Sequence, residues 1–550
     1  MKLYRKFWLL GIGMVLAGGL IGGIFARLPG DARANTALST ADLVRDYAEA
    51  IQVVDANYID DVDREETLDA SVQSMLWTLD PHSAFFTKDE LRKLYEEQAS
   101  QFFGIGVSIL QYRDGVYVQS VIPNTPADKA GLRFGDRFVE VEGKDATEWS
   151  SYEVSQNVRG QRGTPVKIKV ERAGIKDPVP YTIVRDGVPF PSIRNYFMLN
   201  DQVGYVALSG GFQETTAEEL DLAIGELRGE GMQSLVLDLR GNPGGLLPQA
   251  IEVTSRFITE GQTVVSVKGR ARGYNTRELD AEGGKLEDFP LVVLINGGSA
   301  SASEIVAGAV QDYGRGLVIG SESFGKGLVQ KIYPLPYGTG MTLTTARYYT
   351  PYGRSLQRDY SSGSIYDYFT HSNGEEINGS GNGRIDAKPK PKGTAVKTAG
   401  DRVFYGGRGI EPDIEVKSLG YTPARARINQ AAFFFVRQLV AGRIRGFEGL
   451  KTGKQTFQNT VPEGGLQISD QLYESFVNFA VADGENGLSR ANVAAEPEYA
   501  RAKLKEQLAT ARYSSEAGQQ VFAEQDPQVL KAIESIPDAR KLVETIMVRK

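Results

Sequence analysis

The chain has 550 residues, 41% of them hydrophobic, which is more than one core organises, so several domains are expected. It holds no cysteine, which excludes disulfides, thiolate metal sites and a cysteine nucleophile. Lys+Arg 62 against Asp+Glu 69 leaves a net charge of -7, which gives nucleic-acid binding no support; no metal or cofactor is expected.

Lys2, Arg5 and Lys6 precede an uncharged apolar run from Phe7 to Ala26. Residues 1–34 therefore read as a signal peptide or N-terminal membrane anchor. The run is long enough to span a bilayer, while Ala32, Arg33 and Ala34 offer a small-x-small cleavage site; the long gap between them favours the anchor. Basic residues before the run and a long domain after it predict an extracytoplasmic, periplasmic location.

Residues 35–99 read as helical. Leu43, Tyr47, Ile51 and Val54 recur at helical spacing, and a second helix is expected from Thr67 to Leu79, ended by Asp80 and Pro81. Asp60, Asp61 and Asp63 lack the glycine and distal glutamate of a calcium loop and read as a solvated turn with a helix cap. From Phe102 the pattern changes to short strands and turns, over about residues 100–186. Gly104, Ile105, Gly106 and Val107 form a glycine-rich turn ahead of strand-like Val116 to Ile122, and a strand over Val166 to Val170 follows Gly163.

Strand and helix then alternate. Val203 to Leu208 reads as a strand, Thr216 to Leu227 as a helix capped by Thr215 or Thr216, and Leu235 to Leu239 as a buried strand ending in the Arg240 to Gly245 loop. The fold class expected is mixed α+β and α/β in several domains, with an α/β layered core over residues 187–420.

Within that core, Leu291 to Ile295 is a strand-length apolar run, Asn296 to Gly298 break it, and Ile305, Val306, Ala309 and Val310 recur at helical spacing. Ser301 thus sits where a strand turns into a helix, beside backbone N–H groups that favour developing negative charge. A second buried strand over Gly316 to Gly320 leads to Lys326, set between two glycines before a β-patterned run. The chain has only two histidines, and neither His82 nor His371 is expected near Ser301, so lysine is the candidate base. An ammonium qualifies only if an apolar pocket lowers its pKa by several units. Ser301 with Glu304 also reads as a capping box, in which the serine only caps a helix. Gly320 to Lys326 imitates a phosphate-binding loop but has Gly327 where the hydroxyl for magnesium belongs, and a strand follows instead of a helix.

The run Gly298 to Glu304, then Phe324 to Gly327 and Gln330, resembles the carboxy-terminal processing peptidases, tail-specific serine proteases built on a Ser/Lys dyad. The 25 positions between Ser301 and Lys326, and the glutamine four further on, match the family spacing. The resemblance implies Ser301 as nucleophile, Lys326 as general base and Gln330 as the residue orienting it. It also implies that the Asp238 to Gly245 segment supplies the Gly245 N–H to an oxyanion hole, with Ala302 N–H as the second donor. Tyr58 and the Leu79 to Ser83 segment resemble the helical N-terminal part of that family. Residues 100–186 resemble a PDZ domain, which implies that Gly104, Ile105, Gly106 and Val107 receive the carboxylate of a protein's C-terminus, the peptide joining the sheet edge as a strand. Protein substrates with apolar C-termini are the partners expected.

The family pattern resumes at Gly409 to Ile414 only after an insertion at about 361–405, rich in glycine, asparagine and lysine, which reads as a mobile loop. Residues 421–550 read as helical, with start signals at Thr422–Pro423 and Asp526–Pro527 and with Phe433 to Val436 packing a core or a partner subunit, so a homo-oligomer through these helices is expected. The other function class open at this stage is a PDZ scaffold that binds protein C-termini without cutting them. Hydrolysis of a non-peptide ester by the same dyad is the third.

Overall fold

The structure is a computed structural model and describes residues 39–112, 114–270, 276–360, 368–369, 393–462 and 464–548. The signal or anchor segment, His371 and most of the insertion lie outside the described residues. Among those described, no helix is long and apolar enough to cross a membrane.

The chain divides after Val72 into two compact units. In the first, Ser39 and Asp42 form a reciprocal cap on the helix Thr40–Asn57, and Asp63 accepts the N–H groups of Glu65 and Glu66 at the start of the helix Arg64–Trp77. The acidic turn is a helix cap, as its spacing suggests, and the second helix begins earlier than Thr67 because Asp63 starts it.

In the second unit a six-stranded sheet carries the strands in the order Ile193–Met198, Val203–Leu208, Ser234–Asp238, Leu291–Ile295, Leu317–Gly320 and Ile414–Glu415. Its first pair is antiparallel and the rest are parallel. Parallel strands need cover on both faces, and the unbroken apolar runs supply it. Every residue of Leu291–Ile295 is fully buried, each such side chain contributing about 1.5–3 kcal/mol relative to exposure. One face packs on the helices Thr216–Gly229, Leu247–Ser255 and Ala302–Tyr313. The other face is covered from the far end of the chain, by Ala523, Val529, Ala532 and Ala539. The last helices therefore pack on the layered core. Thr215 is the N-cap of the first of the face helices, but its side chain makes no cap hydrogen bond: it donates to Glu219 (2.5 Å), while Thr216 accepts from the Gln213 N–H (2.8 Å).

A second, antiparallel sheet centres on Gly340–Tyr349, flanked by Leu328–Pro334, Thr263–Gly269 and the short strand Ala84–Phe86. Ala84–Phe86 precedes the strand-rich domain in sequence yet pairs with the core, so that domain is an insertion into the core. Its two ends leave together, as an antiparallel ribbon of Gln101–Gly104 against Asp186–Pro189.

The inserted domain is a six-stranded sheet around its own core of Ile105, Val118, Phe138, Val154, Ile168 and neighbours. Val107–Tyr112 is the edge of the main strand path, pairing there with Gly115–Val121. The helices after residue 421 hold this domain. Phe433 and Phe435 are fully buried in a cluster with Tyr117 and Phe134 of the inserted sheet, and the buried Arg437 donates to Gly135 O (2.6 Å) and Glu171 Oε1 (3.2 Å). The phenylalanine run thus packs within its own chain. Of the insertion, Ala395–Lys397 and Val403–Tyr405 form a two-stranded ribbon instead of a loop, because buried Phe404 takes the Arg354 guanidinium at 4.8 Å on its ring.

Candidate active site

Ser301 stands at the start of Ala302–Tyr313 with φ 55° and ψ −113°, a conformation costly for any residue with a Cβ. The loop is over-determined by its neighbours. Asn296 Oδ1 accepts the N–H groups of Gly241 and Gly298 (2.9 Å each), Ser299 Oγ donates to Leu239 O (2.8 Å), and Ser303 Oγ donates to Asn242 O (3.0 Å). Of the three serines spaced at 299, 301 and 303, two therefore tie this turn to the Arg240–Gly245 loop. The Ser301 hydroxyl does not; it pairs with the Tyr348 hydroxyl at 2.5 Å.

The Arg240–Gly245 loop is braced in turn. Arg240 bonds Asp238 (2.6 Å), Asp526 (2.7 Å) and Gln528 (2.7 Å), which couples the last helices to the site. Gly244, at φ 102°, lies against Ser301: a Cβ there would sit 2.6 Å from Ser301 Cβ and 2.9 Å from Ala302 N. Gly245 follows at φ 145°, held by a bridge to Phe212. The N–H groups of Gly245 and Ala302 meet no acceptor among the described residues. Both glycines matter here, Gly244 for close approach and Gly245 for its free N–H. Gly244→Ala is expected to lower kcat at least a hundredfold while the chain still folds, read by steady-state kinetics and a melting curve, since a shift of about 1 Å at the nucleophile is enough.

Lys326 Nζ donates to Gln330 Oε1 at 3.0 Å, and Gln330 Nε2 donates to His82 O. Enclosure pushes the Lys326 ammonium below the ordinary lysine pKa, and this outweighs the opposing pull of the Glu304 and Asp80 carboxylates. A neutral amine in reach of physiological pH is what a lysine base requires.

Glu304 joins the two halves. It is fully buried, and one oxygen, Oε2, accepts both the Ser301 N–H (2.8 Å) and the Lys326 N–H (2.9 Å). Its other oxygen accepts the Gly325 N–H (2.8 Å) and the Ser323 hydroxyl (2.5 Å). Burial pushes this carboxyl above the usual range while the four donors oppose it. Ser301 and Glu304 form the capping box that their spacing suggests, and the serine hydroxyl also pairs with Tyr348. Among the described residues Ser301 Oγ and Lys326 Nζ do not bond each other; their backbones are bridged through one carboxylate oxygen.

His82 corrects an expectation. It lies beside Lys326, because Asp80 folds the Asp80–Ser83 turn through the N–H groups of His82 (2.8 Å) and Ser83 (2.9 Å) and so aims the His82 carbonyl at Gln330. The ring packs edge-on to Phe324 and bonds Tyr368 OH (2.8 Å), and burial, with the Lys326 charge, pushes it down to about 4. Occupied in this way, it does not act on Ser301. Sequence reasoning missed the roles of Glu304, Gly244, His82 and Tyr348. Glu304, Gly244 and His82 lie in segments that the family resemblance marks, Gly298 to Glu304, Asp238 to Gly245 and Leu79 to Ser83.

In the inserted domain Gly106 has φ 89°, and a Cβ there would meet the Thr125 side chain at 2.3 Å. Ile105 O and Gly106 O accept from Ala127 and Ile122 (2.7 and 3.0 Å), whereas the N–H groups of Ile105 and Gly106 donate to nothing among the described residues. Val107 opens the edge strand, and Gln111 on that strand bonds the Ser151 N–H (3.0 Å) at the start of the helix Ser151–Val158. Gly104 ends the ribbon that joins the domain to the core.

A strained serine at a helix start, a partly buried lysine on the next loop and free N–H groups beside them define a serine hydrolase joined to a peptide-binding module. Comparison with known proteins agrees. Residues 202–367 match peptidase family S41 and residues 104–179 match the PDZ domain. The carboxy-terminal-processing protease of Bartonella bacilliformis is 38% identical over 316 residues, 56% of this chain and 72% of that protein. The carboxy-terminal processing protease CtpB of Bacillus subtilis is 33% identical over 330 residues, 58% of this chain and 68% of that one. A solved photosystem II D1 C-terminal processing protease aligns at 27% identity over 69% of this chain and 94% of its own, with a TM-score of 0.35, too low to add to the assignment. The chain belongs to peptidase family S41, the carboxy-terminal processing serine proteases with a PDZ domain, and is an enzyme rather than a scaffold.

Proposed function

We propose that the chain cuts peptide bonds in proteins whose apolar C-termini its PDZ domain holds, with Ser301 and Lys326 as the catalytic dyad. The observation that carries this is the single Glu304 oxygen shared by the two dyad backbones, which sets serine and lysine in one frame. Neutral Lys326 takes the Ser301 proton, Oγ attacks the carbonyl carbon, and the N–H groups of Gly245 and Ala302 receive the oxyanion. Lys326 returns its proton to the leaving amine. It then deprotonates the water that releases the acyl group and restores Ser301. Gln330, fixed by the His82 carbonyl, orients the amine.

The Ile105 and Gly106 N–H groups receive the substrate's terminal carboxylate, Gly104 and Val107 frame them, and the edge strand accepts the peptide as one more strand. An extracytoplasmic location, with retention at the membrane, is part of the same reading and rests on Phe7 to Ala26.

Full chain incubated with an unstructured protein ending in apolar residues, and with the same protein amidated at its C-terminus, tests the reading by mass spectrometry of the fragments. The free acid is expected to be cut at least tenfold faster. Equal rates would remove the PDZ clause; tight binding with no cut would remove the peptidase reading.

A further inference from the structure

Tyr348 belongs to neither motif of the dyad, yet it touches both halves. It lies on Gly340–Tyr349 in the antiparallel sheet, whereas Ser301 starts a helix that packs on the six-stranded one. Its N–H donates to Gly327 O at 3.0 Å, which pins the residue next to Lys326, and its hydroxyl lies 2.5 Å from Ser301 Oγ. The ring is 3% exposed within the main core. A buried phenol needs a partner for its proton, and among the described residues the Ser301 oxygen is the one it has. The geometry admits either hydroxyl as donor, and with the tyrosine donating the serine's own proton is left for the base.

We propose that Tyr348 is a third member of the catalytic group, its O–H donating to Ser301 Oγ throughout so that the oxygen is held in place and stabilised as its proton leaves. The inference rests on the dyad reading. The proton balance is simple: the serine proton goes to Lys326 Nζ, the tyrosine keeps its own, and the bond between the two oxygens becomes charge-assisted as Oγ turns anionic. Burial pushes the phenol well above its ordinary pKa, in keeping with a group that donates without ionising. When Oγ bonds to the carbonyl carbon, the charge passes to the oxyanion donors and the tyrosine bond weakens to a neutral one.

Tyr348→Phe keeps the ring and its packing. In the full chain it is expected to lower kcat roughly tenfold to a hundredfold, the size of one positioned donor, with KM changed by less than twofold. The rate of labelling by a fluorophosphonate, a serine-directed probe, should fall by a similar factor. The acid limb of the pH profile should stay where it is, since Lys326 still sets it, and Tyr349→Phe on the same strand should label at the parent rate. Parent-like kcat and labelling for Tyr348→Phe would overturn the inference, as would a loss of activity that tracks a lowered melting midpoint. Ser301→Ala run alongside separates the two readings. If it still cuts and labels, the dyad is wrong; if it is dead while Tyr348→Phe matches the parent, only the tyrosine's role is wrong.

Discussion

Ser301→Ala is expected to lower kcat/KM for an unstructured protein substrate by about 10,000-fold or more, and Lys326→Ala by a comparable factor, with the double variant little worse than either. The non-additivity follows from the chemistry. Without the base the hydroxyl is a poor nucleophile, and without the hydroxyl the base has nothing to activate. The melting midpoint should fall modestly for Ser301→Ala, since the buried Tyr348 hydroxyl loses the partner it has among the described residues, at a cost of about 1–3 kcal/mol, while the strained turn is still held by Asn296, Ser299 and Ser303. The pH profile carries the sign of the mechanism. A base acts only when neutral, so the rate should rise with pH through the Lys326 pKa and level off above it. Because enclosure lowers that pKa, the plateau should begin below the pH at which an ordinary lysine would reach it. A rate that falls through the same range would sink lysine as the base.

The second large effect is expected at Glu304. Glu304→Gln keeps size and shape but replaces one acceptor oxygen by an NH₂ that faces donors, so two of the four hydrogen bonds are lost and donor meets donor. Each unsatisfied buried group costs about 1–3 kcal/mol, so the melting midpoint should drop while the chain still folds. More telling is kcat, expected to fall at least a hundredfold, because the serine and lysine backbones lose their common anchor. The remaining activity should also have its acid limb moved to lower pH. The Glu304 charge raises the Lys326 pKa in the native protein, and its removal leaves only Asp80 to oppose desolvation. A purely structural glutamate would lower stability without moving that limb. Glu304→Asp, which keeps the charge but shortens the arm, should leave the limb nearer the parent position.

Much of the architecture was legible because local physics produced it. The run Leu291 to Ile295 reads as a buried strand, Ala302 to Tyr313 as a helix, and Asp63 as a cap, since each depends on neighbours within a few positions. The strands of the inserted domain and its tight turn at Gly106 were visible for the same reason. Contacts across distance are different. His82, some 240 positions before Lys326 in sequence, lies beside it in the fold, which the character of its own segment does not reveal. A turn's context says how it bends, not what it packs on. Glu304 was read as a cap because its partner on the serine is local, while its bonds to Ser323, Gly325 and Lys326 cross to the next loop. Nothing in the periodicity of the last helices says which sheet they cover.

The sequence by itself carried the Ser301 and Lys326 motifs and the spacing between them, together with the class of domain that takes the substrate's end. Those are properties of short segments, where a residue type at a set offset has a direct chemical meaning. Only the tertiary structure decided that one carboxylate oxygen bridges the two dyad backbones, that the Asp80 turn supports Gln330, that Gly244 rather than a larger residue lies against Ser301, and that a tyrosine from the second sheet meets the serine hydroxyl. Each of these is a contact between segments far apart in the chain, fixed by how two sheets and their covering helices pack. No local pattern encodes such a contact, since the free energy that selects it is released only when the layers close.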